Sequence, residues 1–188
     1  MSTQGWAGVV LAGGKSSRMG RDKALVEHDG RTLLATAVGL LRPHVEELLI
    51  IGDPTMHQGT GPLVLADDTP GLGPLGGILT ALRYAWNDRL IVLACDMPNV
   101  NSALFERLKS VCDEGHDAVV PQCDGRLEPL AAIYHRHCRG AFAAAIAEGE
   151  LKMSMAIERV NARYVQVCPG EEGWPADLFR NINAPSDL

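Results

Sequence analysis

A basic, glycine-bearing loop and one carboxylate far from it in sequence are the residues best suited to chemistry in this chain. Gly13 and Gly14 end an apolar run, and their backbone N–H groups are free to approach phosphate oxygens. Lys15, Arg18, Arg21 and Lys23 add four cations within nine residues. Together these suit a phosphorylated ligand, while a flexible loop of solvated charges is the plain alternative. Asp96 directly follows the most apolar run of the chain, residues 90–95. A carboxylate there is costly unless it faces a ligand, a cation or a polar cluster. Mg²⁺ takes one or two carboxylates plus phosphate oxygens, so Asp96 opposite a phosphate loop fits that ion. Taken without the basic loop, Asp96 reads equally well as a helix cap or a loop brace.

Other patterns do not survive their own spacing. A P-loop needs a glycine five residues before the one that precedes its lysine, and counting back from Gly14 lands on Val9. Gly71-Leu72-Gly73-Pro74-Leu75-Gly76 matches G-x-G-x-x-G, but Asp67-Asp68-Thr69-Pro70 separates it from the preceding strand. Pro74 also lacks the N–H that a pyrophosphate would want. That stretch reads as a tight turn into a helix or as a loop edging a nucleotide pocket. His135 and His137 have no acidic or histidine partner at a metal-ligand spacing and read as surface residues. Met153 and Met155 read as helix packing, and no Gly-x-Ser-x-Gly elbow supports serine hydrolysis.

The elements that must position these residues alternate. Buried strands are expected at 6–12, 48–51, 63–66, 90–94, 118–120, 130–134 and 164–167. Helices are expected at 33–41, from Ile78 to Trp86, after Ser102 as cap, at 141–147 and at 153–160. Asp29-Gly30 and the segment 122–125 read as turns. Strand and helix in alternation argue for βαβ units and a mostly parallel sheet. In such sheets ligands bind beyond the carboxyl ends of the strands, which is where Gly13 and Asp96 fall. With 188 residues, 46% of them hydrophobic, the chain has the material for one packed domain over 1–188.

A net charge of −6 without any Lys/Arg run argues against long nucleic acid as a partner. No apolar run is long enough for a membrane span, and residues 1–5 lack the pattern of a signal peptide. Five cysteines, an odd number with no C-x-x-C pair, argue against a disulfide framework or a zinc site and for a reducing cytoplasm.

Leu11-Ala12-Gly13-Gly14 through Arg18-Met19-Gly20-Arg21-Asp22-Lys23 resembles the signature of the MobA-like nucleotidyltransferases. Gly73-Pro74-Leu75-Gly76-Gly77 resembles that family's GPL-small-G loop, and Ala94-Cys95-Asp96-Met97-Pro98 its CDMP segment. Asp124 to Leu130 resembles its acceptor-side segment, and the run from Asn181 to Leu188 its NIN-x-P-x-DL close. The first and last motifs together resemble the guanylyltransferase branch of that family.

The resemblance implies a Rossmann-like three-layer α/β nucleotidyltransferase fold, its mainly parallel sheet carrying at least one antiparallel strand. It implies GTP and molybdopterin cofactor as substrates, Mg²⁺ as metal, and molybdenum-cofactor biosynthesis proteins or molybdoenzyme chaperones as partners. It also implies GTP contacts at Leu11, Ala12, Gly13, Gly14, Lys23 and Asp67, and metal at Asp96. Where the family often has Asn after the second strand, this chain has Asp53; before the proline of the acceptor-side segment it has Glu128 where His is common.

The implied reaction is attack of an acceptor phosphate on the GTP α-phosphorus. That nucleophile is already anionic near neutral pH, so no general base is needed. Arg18, Lys23 and Asp96 are the expected catalytic residues, acting by positioning and charge neutralisation. Competing readings are a cytidylyltransferase or sugar-phosphate nucleotidyltransferase of the same fold, and a non-catalytic nucleotide-binding protein.

Overall fold

The computed structural model describes residues 5–13, 22–57, 59–183 and 187. Gly14, Lys15, Arg18 and Arg21 of the basic loop lie outside the described residues.

In chain order the elements are β1 (Trp6–Leu11), β2 (Glu27–His28), β3 (Arg31–Thr32), α1 (Leu33–Leu41), β4 (Glu47–Ile51), α2 (Pro54–His57), β5 (Leu63–Leu65) and α3 (Gly73–Tyr84). There follow β6 (Arg89–Ala94), α4 (Ser102–Ser110), β7 (Ala118–Cys123), β8 (Arg126–Leu127), β9 (Ala131–His135), α5 (Cys138–Ala147), α6 (Met153–Ile157) and β10 (Ala162–Gln166).

One sheet runs in the order β10-β7-β9-β6-β1-β4-β5, with β8 paired on β7. β1, β4, β5 and β6 pair in parallel, as do β7 and β10. β9 is antiparallel to both β6 and β7, and β8 is antiparallel to β7. The fold is therefore mixed α/β with a mainly parallel sheet. β1 and β6 are nearly continuous apolar runs because helices cover both of their faces.

Alternation along each strand sends side chains to two separate cores. Val10, Ile50, Ile91 and Leu93 pack under α1 and α4 against Leu34, Leu41, Leu104 and Phe105. Val9, Leu11, Leu49 and Val92 pack on the other face under α3, α5 and α6, against Ile78, Leu82, Phe142 and Ile157. Each fully buried Leu, Ile or Phe contributes on the order of 1.5–3 kcal/mol relative to exposure.

Leu11 is the last β1 residue and pairs with Ile51 on one side and Ala94 on the other. From β1 the chain winds to β4 and β5, then returns to lay β6 on β1's opposite edge. The crevice beyond Leu11 and Ala94 is thus a topological switch point, the usual ligand position in an open α/β sheet.

Several boundaries depart from the sequence expectations. The stretch 73–77 is not a loop but the first turn of α3, with Pro74 at its start, where a missing N–H costs nothing. Asn101 rather than Ser102 caps α4, its side chain accepting from Leu104 N at 3.3 Å. α5 starts three residues earlier than expected and α6 ends three earlier. Met153 opens α6 and is buried in the core, whereas Met155 on the same helix is 41% exposed.

The cysteines require a correction. Cys123 and Cys168 are joined as a disulfide across the ends of β7 and β10, with Cα atoms 4.9 Å apart and a sequence separation of 45. Adjacent parallel strands bring the two together, so no short spacing motif announces them. Asp124 lies beside the two sulfurs in a grouping of metal-ligand types, but the disulfide consumes both thiols. Cys95, Cys112 and Cys138 are free. Among the described residues no helix is long and apolar enough to cross a membrane.

Candidate active site

The ends of β1, β4 and β6 are tied together by backbone hydrogen bonds that outlast the strands. Ala12 N donates to Ile51 O at 2.8 Å, Cys95 N to Leu11 O at 3.1 Å, and Gly52 N to Leu65 O at 2.9 Å. These bonds fix where Gly13 and Asp96 emerge. On the α3 side, a Cβ on Gly77 would lie 3.2 Å from Leu11 Cδ2 and 3.4 Å from Ile51 Cγ2. The glycine therefore lets α3 pack closely on the sheet just below the crevice.

Asp96 projects two residues past β6. Its Oδ2 accepts from Lys23 Nζ at 2.7 Å, in an ion pair with both side chains largely sheltered. Its Oδ1 is buried and has no hydrogen-bond partner among the described residues. A buried carboxylate oxygen left without a donor is costly, and a cation facing phosphates is the kind of group that relieves it. Burial, reinforced by Asp96, pushes the preceding thiol of Cys95 up to about 12, which keeps it protonated near neutral pH.

Lys23 begins a short 3-10 turn, Lys23–Leu25, that returns the chain from the basic loop. Asp22 caps that turn, accepting from Ala24 N at 2.9 Å. Lys23 Nζ also donates to Asn183 Oδ1 at 2.9 Å, 160 residues away in sequence. The C-terminal segment reaches this point because Ile182 is pinned twice. Its N–H donates to Asp96 O at 2.9 Å, and its side chain is buried against Val26 and Leu33. Asn183 N in turn donates to Asp187 Oδ2 at 2.7 Å. The sequence reading singled out the closing motif but gave Asn183 no role; the only signal was the asparagine pair flanking Ile182.

The structure thus brings Lys23, Asp96 and Asn183 together beyond Leu11, Ala12 and Gly13. It does not join the other two expected carboxylates to that pair. Asp53 is exposed, and its Oδ1 accepts from Thr55 N at 2.8 Å and Thr55 Oγ1 at 2.7 Å. Those hydrogen bonds hold its carboxyl below the usual carboxylate range. Asp67 accepts from Thr80 Oγ1 of α3 at 3.0 Å and lines a groove between α3 and α5 with Leu72, Gly76 and Ile146. Asp68 pairs with Arg83 at 2.7 Å on the same side. Of the expected nucleotide ligands, Gly14 and Arg18 fall outside the described residues.

In the segment expected on the acceptor side, β7 and β8 form a hairpin closed by Asp124 and Gly125, both with positive φ. Beyond it Glu128 is largely buried and pairs with Arg126 at 3.2 Å. Burial raises the Glu128 carboxyl above its ordinary value, with Arg126 opposing. His135 and His137 lie at the other end of β9, where His137 Nδ1 is 3.4 Å from Asp117 Oδ1. This is an acidic partner that no local spacing indicated, and it lies on a different element from the crevice.

Comparison with known proteins agrees with this geometry. Residues 8–165 match the family model described as the MobA-like NTP transferase domain. The chain is 33% identical to a probable molybdenum cofactor guanylyltransferase of Bacillus cereus (strain Q1), covering 97% of this chain and 93% of that one. It is likewise 33% identical to the probable molybdenum cofactor guanylyltransferase of Halalkalibacterium halodurans, over 96% and 94%. Among solved structures, molybdopterin-guanine dinucleotide biosynthesis protein A from Archaeoglobus fulgidus superposes with a TM-score of 0.80 at 29% identity, over 96% of this chain and 94% of that one. The Thermus thermophilus 2-C-methyl-D-erythritol 4-phosphate cytidylyltransferase, at 20% identity and a TM-score of 0.69, shares the fold.

Proposed function

Since the chain belongs to the MobA-like NTP transferase family, we propose that it transfers GMP from GTP to molybdopterin cofactor, giving the guanine dinucleotide form and pyrophosphate. The observation that carries this reading is the Lys23–Asp96 pair at the switch point, with the buried Asp96 Oδ1 left for a cation.

In the reaction a terminal phosphate oxygen of the acceptor forms a bond to the GTP α-phosphorus. The bond from that phosphorus to the bridging oxygen breaks, and the electron pair leaves with pyrophosphate. The attacking oxygen is anionic at neutral pH, so the site needs no base. Backbone amides of Gly13 and Gly14 hold the path of the triphosphate, the Ala12 amide being already spent on Ile51 O. Lys23 and Arg18 offset its charge, and Lys23 holds a fixed position because Asn183 grips its ammonium. Asp96 would hold Mg²⁺, which supplies neutralisation of phosphate charge when bound. Catalysis then rests on orientation and preorganised charge.

Base choice is set by acceptors that guanine satisfies and adenine does not. Strand-end carbonyls near Leu11 and the Gly52-Asp53 segment are the proposed acceptors. An orphaned buried group there costs roughly 1–3 kcal/mol. Asp67 is proposed to contact the nucleotide from the α3 side. Radiolabelled transfer from each of the four NTPs to molybdopterin, with and without Mg²⁺, tests the reading. Transfer from GTP above all others is expected; preference for CTP would move the chain to the cytidylyl branch, and no transfer from any NTP would overturn the proposal.

A further inference from the structure

His57 is almost fully buried, at 1% exposure, yet it ends a four-residue helix on the rim of the crevice. Its Nε2 lies 2.9 Å from Asp22 Oδ2. A carboxylate only accepts, so Nε2 carries the hydrogen and donates. Asp22 is thereby engaged on both oxygens, since its Oδ1 accepts from Ala24 N. The other ring nitrogen, Nδ1, is buried without a partner among the described residues. It faces Gly52, where a Cβ would come within 2.6 Å of it. The ring is therefore wedged between the end of β4 and the turn that carries Lys23, in space that exists because residue 52 has no side chain.

We propose that His57 is a positioning residue for Lys23. It clamps Asp22, Asp22 caps the 3-10 turn, and the turn sets Lys23 against Asp96 and Asn183. A buried histidine that leaves one nitrogen unpaired is a poor device for stability alone. What it secures is the exit of the basic loop, directly before Lys23, whose ammonium reaches Asp96. The segment 52–57 therefore acts on the phosphate end of the site through hydrogen bonds to a loop far from it in sequence. The inference rests on the nucleotide-site reading above.

Binding of Mg²⁺–GTP by calorimetry, with thermal midpoints measured alongside, tests it in the full chain. His57→Ala should weaken binding roughly tenfold, the scale of a lost charge-assisted hydrogen bond. His57→Gln, whose side-chain amide can place a donor near the Nε2 position, should recover most of that loss. Asp22→Ala, which leaves the buried ring in place, should reproduce the loss and serves if His57→Ala does not fold. In a Lys23→Ala background the His57→Ala or Asp22→Ala step should shrink below about twofold, because there is no lysine left to misplace. A purely structural role would keep the step at full size there. The proposal is overturned if the step persists without Lys23, or if His57→Gln binds no better than His57→Ala. Wild-type protein that fails to bind Mg²⁺–GTP would overturn the nucleotide-site reading itself, and this proposal with it.

Discussion

Asp53 and Asp96 stand in matching places. Each lies two residues beyond a parallel strand that flanks β1, and each is followed by a proline within two residues. Their surroundings differ completely. Asp53 spends one oxygen on both donors of Thr55, two residues on, and so closes its own turn. Asp96 bonds a lysine 73 residues back, supports Ile182 through its backbone oxygen, and keeps one buried carboxylate oxygen unpartnered among the described residues. A carboxylate satisfied by its own turn is committed to structure. One that gathers distant groups and still has a free oxygen is poised for a ligand.

The comparison is broken most directly at Asp96. Asp96→Ala should lower Mg²⁺-dependent turnover by roughly 10²–10³-fold, the scale of losing a preorganised charge-stabilising group. Asp96→Asn should not restore it, because the amide keeps the shape but loses the anion. Steady-state turnover across a magnesium titration checks both, and near-normal magnesium-dependent turnover in Asp96→Ala would remove the metal from this residue. Next in size, Lys23→Ala should cost roughly 10²-fold in kcat/KM, again as a lost charge contact. Lys15→Ala should cost clearly less, since Lys23 closes the motif and is tied to Asp96, whereas the position of Lys15 in the loop suits a solvated charge equally well. Equal losses would mean a diffuse basic patch.

The half of the site that follows apolar runs was legible in the sequence. Leu11 to Gly13 and Asp96 sit where an apolar strand meets a polar loop, and the alternation of elements put both at carboxyl strand ends. The other half depends on contacts that no local pattern encodes. Asn183 reaches Lys23 only because Ile182 is buried against Val26 and Leu33. His57 reaches Asp22 only because Gly52 leaves room for the ring. Cys123 and Cys168 meet because β10 pairs in parallel with β7. The start of α3 was misread for a different reason. Glycine and proline read locally as loop punctuation, but a proline in the first turn and a glycine against a packed strand are both at home in a helix.

Asp53 offers the smaller contrast. If its carboxylate is committed to its own turn, Asp53→Ala should leave kcat nearly unchanged, raise the KM for GTP a few-fold by loosening the base-side segment, and lower the thermal midpoint slightly. The Thr55 bonds hold its folded carboxyl below the ordinary value, so the stability they lend is present above that value. It is lost as pH falls through the lowered one. Wild type and Asp53→Ala should therefore converge in thermal midpoint under acid conditions and separate towards neutrality. A large loss of kcat instead would make Asp53 a second Asp96.

The smallest effect is expected at Glu128, on the acceptor side, where burial works in the opposite sense. Its carboxyl is raised, so the folded chain holds this proton more tightly than the unfolded chain does. Stability from this group therefore falls as pH rises from the ordinary glutamate value through the raised one, and stays lower above it. Glu128→Gln removes the titration while keeping the shape. The exposed Arg126 partner is worth little at the surface, so losing that pair offsets the gain only in part. The variant should match wild type in acid and melt slightly higher at neutral pH, with the difference opening across that window. Thermal midpoints measured from about one pH unit below the ordinary glutamate value up to neutrality decide it. A variant that melts lower than wild type at neutral pH would show that the ionised carboxylate is held by its surroundings, and that the acceptor side, like the Asp96 crevice, has a use for its charge.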